Sequence, residues 1–453
     1  MTHSPQIPVA TRDHPIWLHV GTLLDGTSTT PRRDAHIVYD AASVRFVGDS
    51  GSTPPASLLR EGQTTPDVSA SDVTMVPGLA DAHAHLFLEG GELEFDRRAE
   101  YLKQDATALL AAAMPRLEKL VRLGVIGVRD AGDKDGVGLA ISKLCKQRRE
   151  AVGHSAGQQN DLQRGGSETR PTPDAASFMP YLDSPGAAIH HRGRYGSFMG
   201  GALEDYASPA ECVAARVAAG ADRIKLIPTG IINFKAGAVT TDPQMKVDEL
   251  HQLVAAARAA GLQTFAHASG DAGIERVIEA GVDSVEHGFF VRDDQLARMR
   301  DRRIAWVPTF APVQVQLDHA ARFGWDATVA NHLKRILDNH AASLARAHAM
   351  GVIIIAGSDA GSCGVPHGVG LLRELELMEL AGMPPVAVIN SATGAGAERL
   401  GYREKFGRIE AGWMARFIVT QHSPLETVAN LRKPLTVVFD GVPHSSSVDP
   451  AGL

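Results

Sequence analysis

One alternation constrains this chain more than any other feature. From Val76 onward, short apolar runs take turns with Ala-rich segments of helical character. The runs "VIGVRD", "RIKLIP", "QTFAHA", "DSVEHG", "IAWVPT" and "VIIIAGSD" read as strands. Segments such as "SPAECVAARVAAGAD" read as the helices between them. There Ser208 can cap, Pro209 suits the first turn and Glu211 completes a capping box. Repeated βα units imply a parallel sheet covered by helices. Their number suits an α/β chain folded as a (β/α)8 TIM barrel.

The two ends differ from this middle. "IWLHVGTLLDG" and "DAHIVYDAASVRFVG" near the start, and "GRIEAGWMARFIVT" and "PLTVVFDG" near the end, are strand-like runs with Gly and Asp turn signals. Residues 1–75 and 406–453 are therefore expected to pair as one small β-sandwich domain beside a barrel of residues 76–405. A Ser/Thr/Pro-rich stretch, "DSGSTPPASLLREGQTTPDVSASD", reads as a loop or linker. Glu150–Gly200 is polar and rich in breakers, and reads as a long loop after the second or third barrel strand.

Composition narrows the class. The net charge of -7 argues against nucleic acid or an anionic membrane as partner. The three cysteines, Cys145, Cys212 and Cys363, form no Cys-x-x-Cys pair. Neither a zinc ribbon nor a disulfide framework is indicated, and a reducing compartment fits best. The opening residues lack an apolar signal core, and no apolar run reaches membrane-spanning length. A cytoplasmic location is the expectation.

Polar residues fall at telling places. His83 and His85 stand two positions apart in "GLADAHAHLF". With 19 histidines in the chain, about one such pair arises by chance, so the motif alone is weak. Yet Lys225 lies within "RIKLIP", His267 ends "QTFAH", His287 ends "DSVEH" and Asp359 ends "IIIAGSD". Each is a chargeable or metal-capable group in or at the end of an apolar strand. In a barrel the carboxyl ends of all strands meet on one face, where active sites form. Buried charges are costly unless paired or bound to metal. Their joint placement therefore points to a site.

The chain resembles the amidohydrolase superfamily. The segments that carry the resemblance are "VPGLADAHAHL", "GVIGVRDAG", "IKLIPTG", "FAHASG", "AGVDSVEHG", "GSDAG", "VPHG", "NSATGAGAERLG" and "GRIEAGWMARFIV". They span nearly the whole chain and look closest to the prolidase-like and imidazolonepropionase-like branch. That branch includes metal-dependent dipeptidases and enzymes cleaving N-acyl amino acids. The resemblance implies that His83 and His85 hold the more buried of two divalent cations with Asp359, and that His267 and His287 hold the second. It implies that Lys225 is carboxylated by carbon dioxide and bridges both. Imidazole and carboxylate ligands suit zinc, with manganese, cobalt or iron as alternatives. It further implies attack by a metal-bridging hydroxide, with Asp359 shuttling the proton to the leaving nitrogen.

Substrate contacts are sought in "AIHHRGRYGSF", where His191, Arg192, Arg194 and Tyr195 could face a pocket. This stretch departs from the glycine-rich "GGHG"-like pattern of the branch, which weakens any transfer of peptide specificity. Arg forks match carboxylates, so a carboxylate-bearing small molecule is a plausible substrate, and solvated surface arginines are the plain alternative. In "GSCGVPHG", His367 reads as a substrate contact or a support for the ligands, in preference to a nucleophilic pair with Cys363. His332, His340 and His348 read as one solvated helix face.

The expected activity is hydrolysis of an amide in a dipeptide or N-acyl amino acid. A mononuclear enzyme acting on a cyclic amide or imine, or an ester or carbamate hydrolase, would use related machinery. A metal-free assembly scaffold is the alternative of another class. A homo-oligomer is expected from the resemblance.

Overall fold

The computed structural model describes residues 6–158, 179–401 and 405–444. Strands from both chain ends join in one sheet. β1 (Ile16–Leu23), β2 (Arg32–Tyr39), β3 (Val44–Gly48) and β4 (Val68–Pro77) precede the alternating region. Then come β5 (Leu79–Ala84), β6 (Val125–Asp130), β7 (Tyr181–Asp183), β8 (Ala188–His190), β9 (Gly200–Ala202), β10 (Ile224–Leu226), β11 (Thr264–Ala268), β12 (Ser284–His287) and β13 (Ala305–Val307). β14 (Arg416–Thr420), β15 (Pro434–Phe439) and β16 (Val442–His444) close the chain.

The end strands run in the order β16-β15-β14-β4-β1-β2-β3. The strands of both ends, expected to form one β-sandwich domain, hydrogen-bond into one seven-stranded sheet. β4 joins the two ends, pairing parallel to β1 along one edge and antiparallel to β14 along the other. Alternate residues such as Leu18, Val20, Ile37, Tyr39, Met75, Phe417 and Val419 build a separate apolar cluster on it.

The middle strands are parallel, in the orders β5-β6-β7 and β13-β12-β11-β10-β8-β9, with β8 between β10 and β9 and β9 at the edge. Every residue of β5, β6, β11 and β12 is buried. Strands covered on both faces read as continuous apolar runs, which is why alternation is absent here. The covering helices are amphipathic. In Val247–Ala259, Leu250, Leu253, Val254 and Ala257 face inward at helical spacing. Ser208 caps the helix Pro209–Ala218 as expected, its Oγ accepting the Glu211 N–H at 3.2 Å.

Two segments differ from expectation. "VIIIAGSD" is not a regular strand, and Ile354 makes a lone bridge to Trp306. It is nonetheless bonded on both sides: Ile355 N–H donates to Trp306 O at 2.9 Å, and Ala82 N–H to Ala356 O at 3.0 Å. Gly357 lies close against β5, where a Cβ would stand 2.9 Å from the His83 nitrogen. Glu150–Gly200 is not one loop. A helix runs to Gln158, and the apolar stretch around Tyr181–His190 supplies β7 and β8, which pair with β6 and β10. Residues 159–178 of that segment lie outside the described residues.

No helix among the described residues is long and apolar enough to cross a membrane.

Candidate active site

β5 carries Asp81 and His83 at alternate positions, and His85 follows one residue past its end; all three are buried. Residues at i, i+2 and i+4 share one face of a strand. Asp81 ties β5 to the last segment, accepting the N–H groups of Ser358 at 2.9 Å and His83 at 3.2 Å. Burial pushes its carboxyl up to about 6.

Each imidazole is oriented by a partner. His83 Nδ1 lies 2.6 Å from Glu286 Oε2. That carboxylate is fully buried, and it also accepts Arg129 Nη2 at 2.8 Å and the Ser284 hydroxyl at 2.6 Å. A proton on His83 Nδ1 leaves the Nε2 lone pair free, and Nε2 faces Asp359 Oδ1 at 3.7 Å. His85 Nε2 lies 3.4 Å from the same oxygen, while its Nδ1 contacts Gly132 O at 3.2 Å. Thr309 donates its hydroxyl to Pro308 O at 2.8 Å, so it accepts from His287 Nδ1 at 2.7 Å. The His287 Nε2 lone pair is then free as well. His267 Nε2 lies 3.2 Å from Gly230 O.

The rings gather closely. Centroids of His267 and His287 are 4.5 Å apart, and those of His83 and His287 are 4.9 Å apart. One donor atom from each of His83, His287 and Asp359 falls within 4.8 Å of the others. Burial holds the imidazolium pKa of His85 and His267 down to about 3, and those of His83 and His287 well below the usual 6.5. The rings are therefore neutral, which is the ligating form. Burial pushes the Asp359 carboxyl up to about 7 against the pull of Lys225.

Lys225 is 2% exposed, and its Nζ has no hydrogen-bond partner among the described residues. It sits 4.7 Å above the Phe265 ring. Burial lowers its ammonium to about 8, against the pull of Glu286. A buried amine with nothing to bond is costly. Four neutral imidazoles, one carboxylate and an orphaned amine are a donor set that suits divalent metal. The backbone is strained here too: His287, Thr309 and Asp359 have φ of +67°, +53° and +53°. Such residues cost about 1–3 kcal/mol each and cluster at functional sites.

All six of these residues line one cavity of about 240 Å³. Of the expected substrate contacts, Tyr195 lines it, with its ring 5.2 Å from His267. Burial, reinforced by Asp359, raises its phenol so that it stays protonated. The other four are elsewhere. His191 bridges Glu204 at 2.7 Å and Glu249 at 2.8 Å. Arg192 pairs with Asp205, and Arg194 donates to Asp242 O at 2.7 Å. His367 is buried behind β5, its Nε2 3.0 Å from His85 O. That bond occupies His367, while Cys363 lines the cavity with its thiol toward Glu92 O at 3.3 Å, so the two form no nucleophilic pair.

The helical histidines are not one solvated face. His340 is 2% exposed, stacked 3.9 Å from Phe289 and bonded to Pro308 O at 3.0 Å. It follows Ile336 and Leu337 on the buried stripe of Ala327–Met350. His332 is half-buried against Phe234 O, and His348 is also half-buried.

Sequence reasoning missed Glu286, Arg129 and Thr309. A signal existed for the first two: opposite charges inside the apolar runs "VIGVRD" and "DSVEHG" must find each other or a ligand. Thr309 carried none.

Comparison with known proteins places the fold. Ochratoxinase of Aspergillus niger is 24% identical over 435 residues, covering 93% of this chain and 84% of its own. A Xaa-Pro dipeptidase crystal structure with bound methionine matches 95% of this chain and 100% of its own, with a TM-score of 0.70 and 24% identity. The crystal structure of the ochratoxinase gives a TM-score of 0.72 at 20% identity, over 98% of both chains. The chain thus shares the fold of the prolidase-like branch. The model of the amidohydrolase family matches residues 74–443, and the chain belongs to that family.

Proposed function

We propose that this protein is a binuclear metal-dependent hydrolase that cleaves a C–N amide bond in a dipeptide or N-acyl amino acid. The observation that carries the reading is the convergence of His83, His85, His267, His287 and Asp359 on one cavity that also contains the unbonded Nζ of Lys225. His83, His85 and Asp359 would hold one cation, and His267 and His287 the other. A neutral Lys225 amine would take up carbon dioxide, releasing a proton to solvent, and the carbamate would supply an anionic oxygen ligand. Zinc suits this donor set. When bound, such cations acidify water and polarise the scissile carbonyl. Asp359 takes the proton from the attacking water and delivers it to the leaving nitrogen. Tyr195, kept protonated, donates a hydrogen bond to the substrate.

Residues 353–360 bond to β13 on one side and β5 on the other, which supports closure of the parallel strands into a (β/α)8 barrel. The strand ends then share one mouth. Residues 76–405 form that domain, and both chain ends form the smaller one. The names of the relatives, a Xaa-Pro dipeptidase and an ochratoxinase, agree with an amide substrate.

The test is Asp359→Asn in the metal-loaded protein, assayed on N-acyl amino acids, dipeptides, lactams and esters. Loss of a proton shuttle lowers turnover by about 10²–10⁴-fold. Near-normal turnover at equal metal content would overturn the role. A wild-type protein that holds metal and cleaves no amide in the panel would overturn the function.

A further inference from the structure

We propose that Arg98 is the anion anchor of this cavity, and that it selects substrates pairing a carboxylate with a bulky apolar or aromatic group. The proposal rests on the amide-hydrolase reading and names its substrate class. It also moves carboxylate recognition away from Arg192 and Arg194, which the structure places outside the cavity.

Arg98 belongs to the short helix Phe95–Tyr101 that follows β5, and it lines the cavity with the six site residues. Its Nη2 donates to Gly361 O at 2.9 Å. Gly361 lies two residues beyond Asp359, and the intervening Ala360 accepts the His85 N–H at 2.7 Å. Gly361 has φ of +98°, and a Cβ there would stand 2.5 Å from His85 O. The backbone that holds the guanidinium is thus pressed against His85, just past the end of the strand that carries His83. A guanidinium has five donors, and this bond uses one. Arg98 makes no ion pair among the described residues, whereas Arg192 is paired with Asp205.

The cavity wall is otherwise largely apolar. Phe234, Phe289, Ile232 and Val313 line it. Ile231 lines it too and is 54% exposed. A large aliphatic side chain kept half in water at a cavity gains when a ligand covers it. A wholly apolar ligand would cover these walls and leave the half-buried guanidinium of Arg98 without a partner. A small polar anion would pair Arg98 and leave the apolar walls wet. A ligand that carries both groups satisfies both, and a carboxylate can bond the guanidinium fork bidentately.

The experiment compares wild type, Arg98→Met and Arg98→Lys as full-length, metal-loaded proteins. The substrates are N-acetyl-L-phenylalanine and N-acetyl-2-phenylethylamine, which differ only in the carboxylate. A charge-assisted bond of this kind is worth roughly 10–100-fold. Wild type should favour the acid in kcat/KM by that factor, Arg98→Met should lose the preference, and Arg98→Lys should keep part of it. A purely supporting role through Gly361 would lower both substrates together and leave their ratio unmoved, which would overturn the proposal. Calorimetry with 3-phenylpropanoate and 3-phenylpropanamide separates the two readings. Arg98-dependent preference for the acid in a protein that cleaves neither substrate keeps the anchor and rejects the hydrolase. Equal binding of acid and amide by wild type rejects the anchor.

Discussion

Glu286 offers the sharpest test of how the site is held together. Its Oε2 meets His83 Nδ1 at 2.6 Å and Arg129 Nη2 at 2.8 Å, and its Oε1 meets the Ser284 hydroxyl at 2.6 Å. Both Glu286 and Arg129 are essentially unexposed. In Glu286→Gln the amide oxygen can still face His83 and Arg129, with the amide nitrogen turned to Ser284. Shape is conserved and the negative charge is what goes. Removing one charge of a buried pair costs about 3–5 kcal/mol. For 453 residues the unfolding entropy is on the order of 1 kcal/mol per kelvin, so melting should fall by about 3–5 °C. His83 should also become a weaker metal ligand, because a carboxylate behind an imidazole raises its basicity, and loss of such a partner costs about 10–100-fold in metal affinity. Thermal melting followed by circular dichroism reads the first effect, and competition against a chromogenic chelator reads the second. A variant that melts within about 1 °C of wild type and holds metal equally well would refute both the buried pairing and the orientation argument for His83.

Two pH effects follow from groups outside the proposed ligand set. Glu374 is buried, accepts the N–H groups of Phe310 at 2.9 Å and Ala311 at 2.8 Å, and burial pushes its carboxyl from 4.5 up to about 8. The folded state therefore keeps a proton that the unfolded chain releases. This contribution is fully present below about pH 4.5 and lost as pH rises through about 8, at up to roughly 1.4 kcal/mol per unit. Urea unfolding should show a steeper fall across that window in wild type than in Glu374→Gln, and identical slopes would contradict it. Burial alone would lower the pKa of His191, but hydrogen bonds to Glu249 and Glu204 raise it above the usual 6.5. Its contribution is present below 6.5 and lost as pH climbs through the raised value, with a size of up to about 1 kcal/mol at this partly exposed position. The stability gap between wild type and His191→Gln should narrow on that rise, and a gap that widens would reverse the assigned sign.

Much of the site was legible because strand direction does the gathering. Once βα units run in parallel, residues at the carboxyl ends of successive strands must meet, and His83, His85, Lys225, His267, His287 and Asp359 all sit in or at the ends of such runs. The buried stripe of the helix Ala327–Met350 was legible too, since His340 falls four residues after Ile336; treating three histidines as one face obscured it. The sequence by itself determined which groups could meet and that a parallel scaffold would present them. Only the tertiary structure decided which did: that Glu286 reaches His83 across 203 positions, that Arg98 lines the cavity while Arg192 and Arg194 do not, and that both chain ends share one sheet. Periodicity reports which face a residue occupies within its own element. Pairings between distant elements depend on packing across gaps of a few ångströms, and no local pattern encodes them.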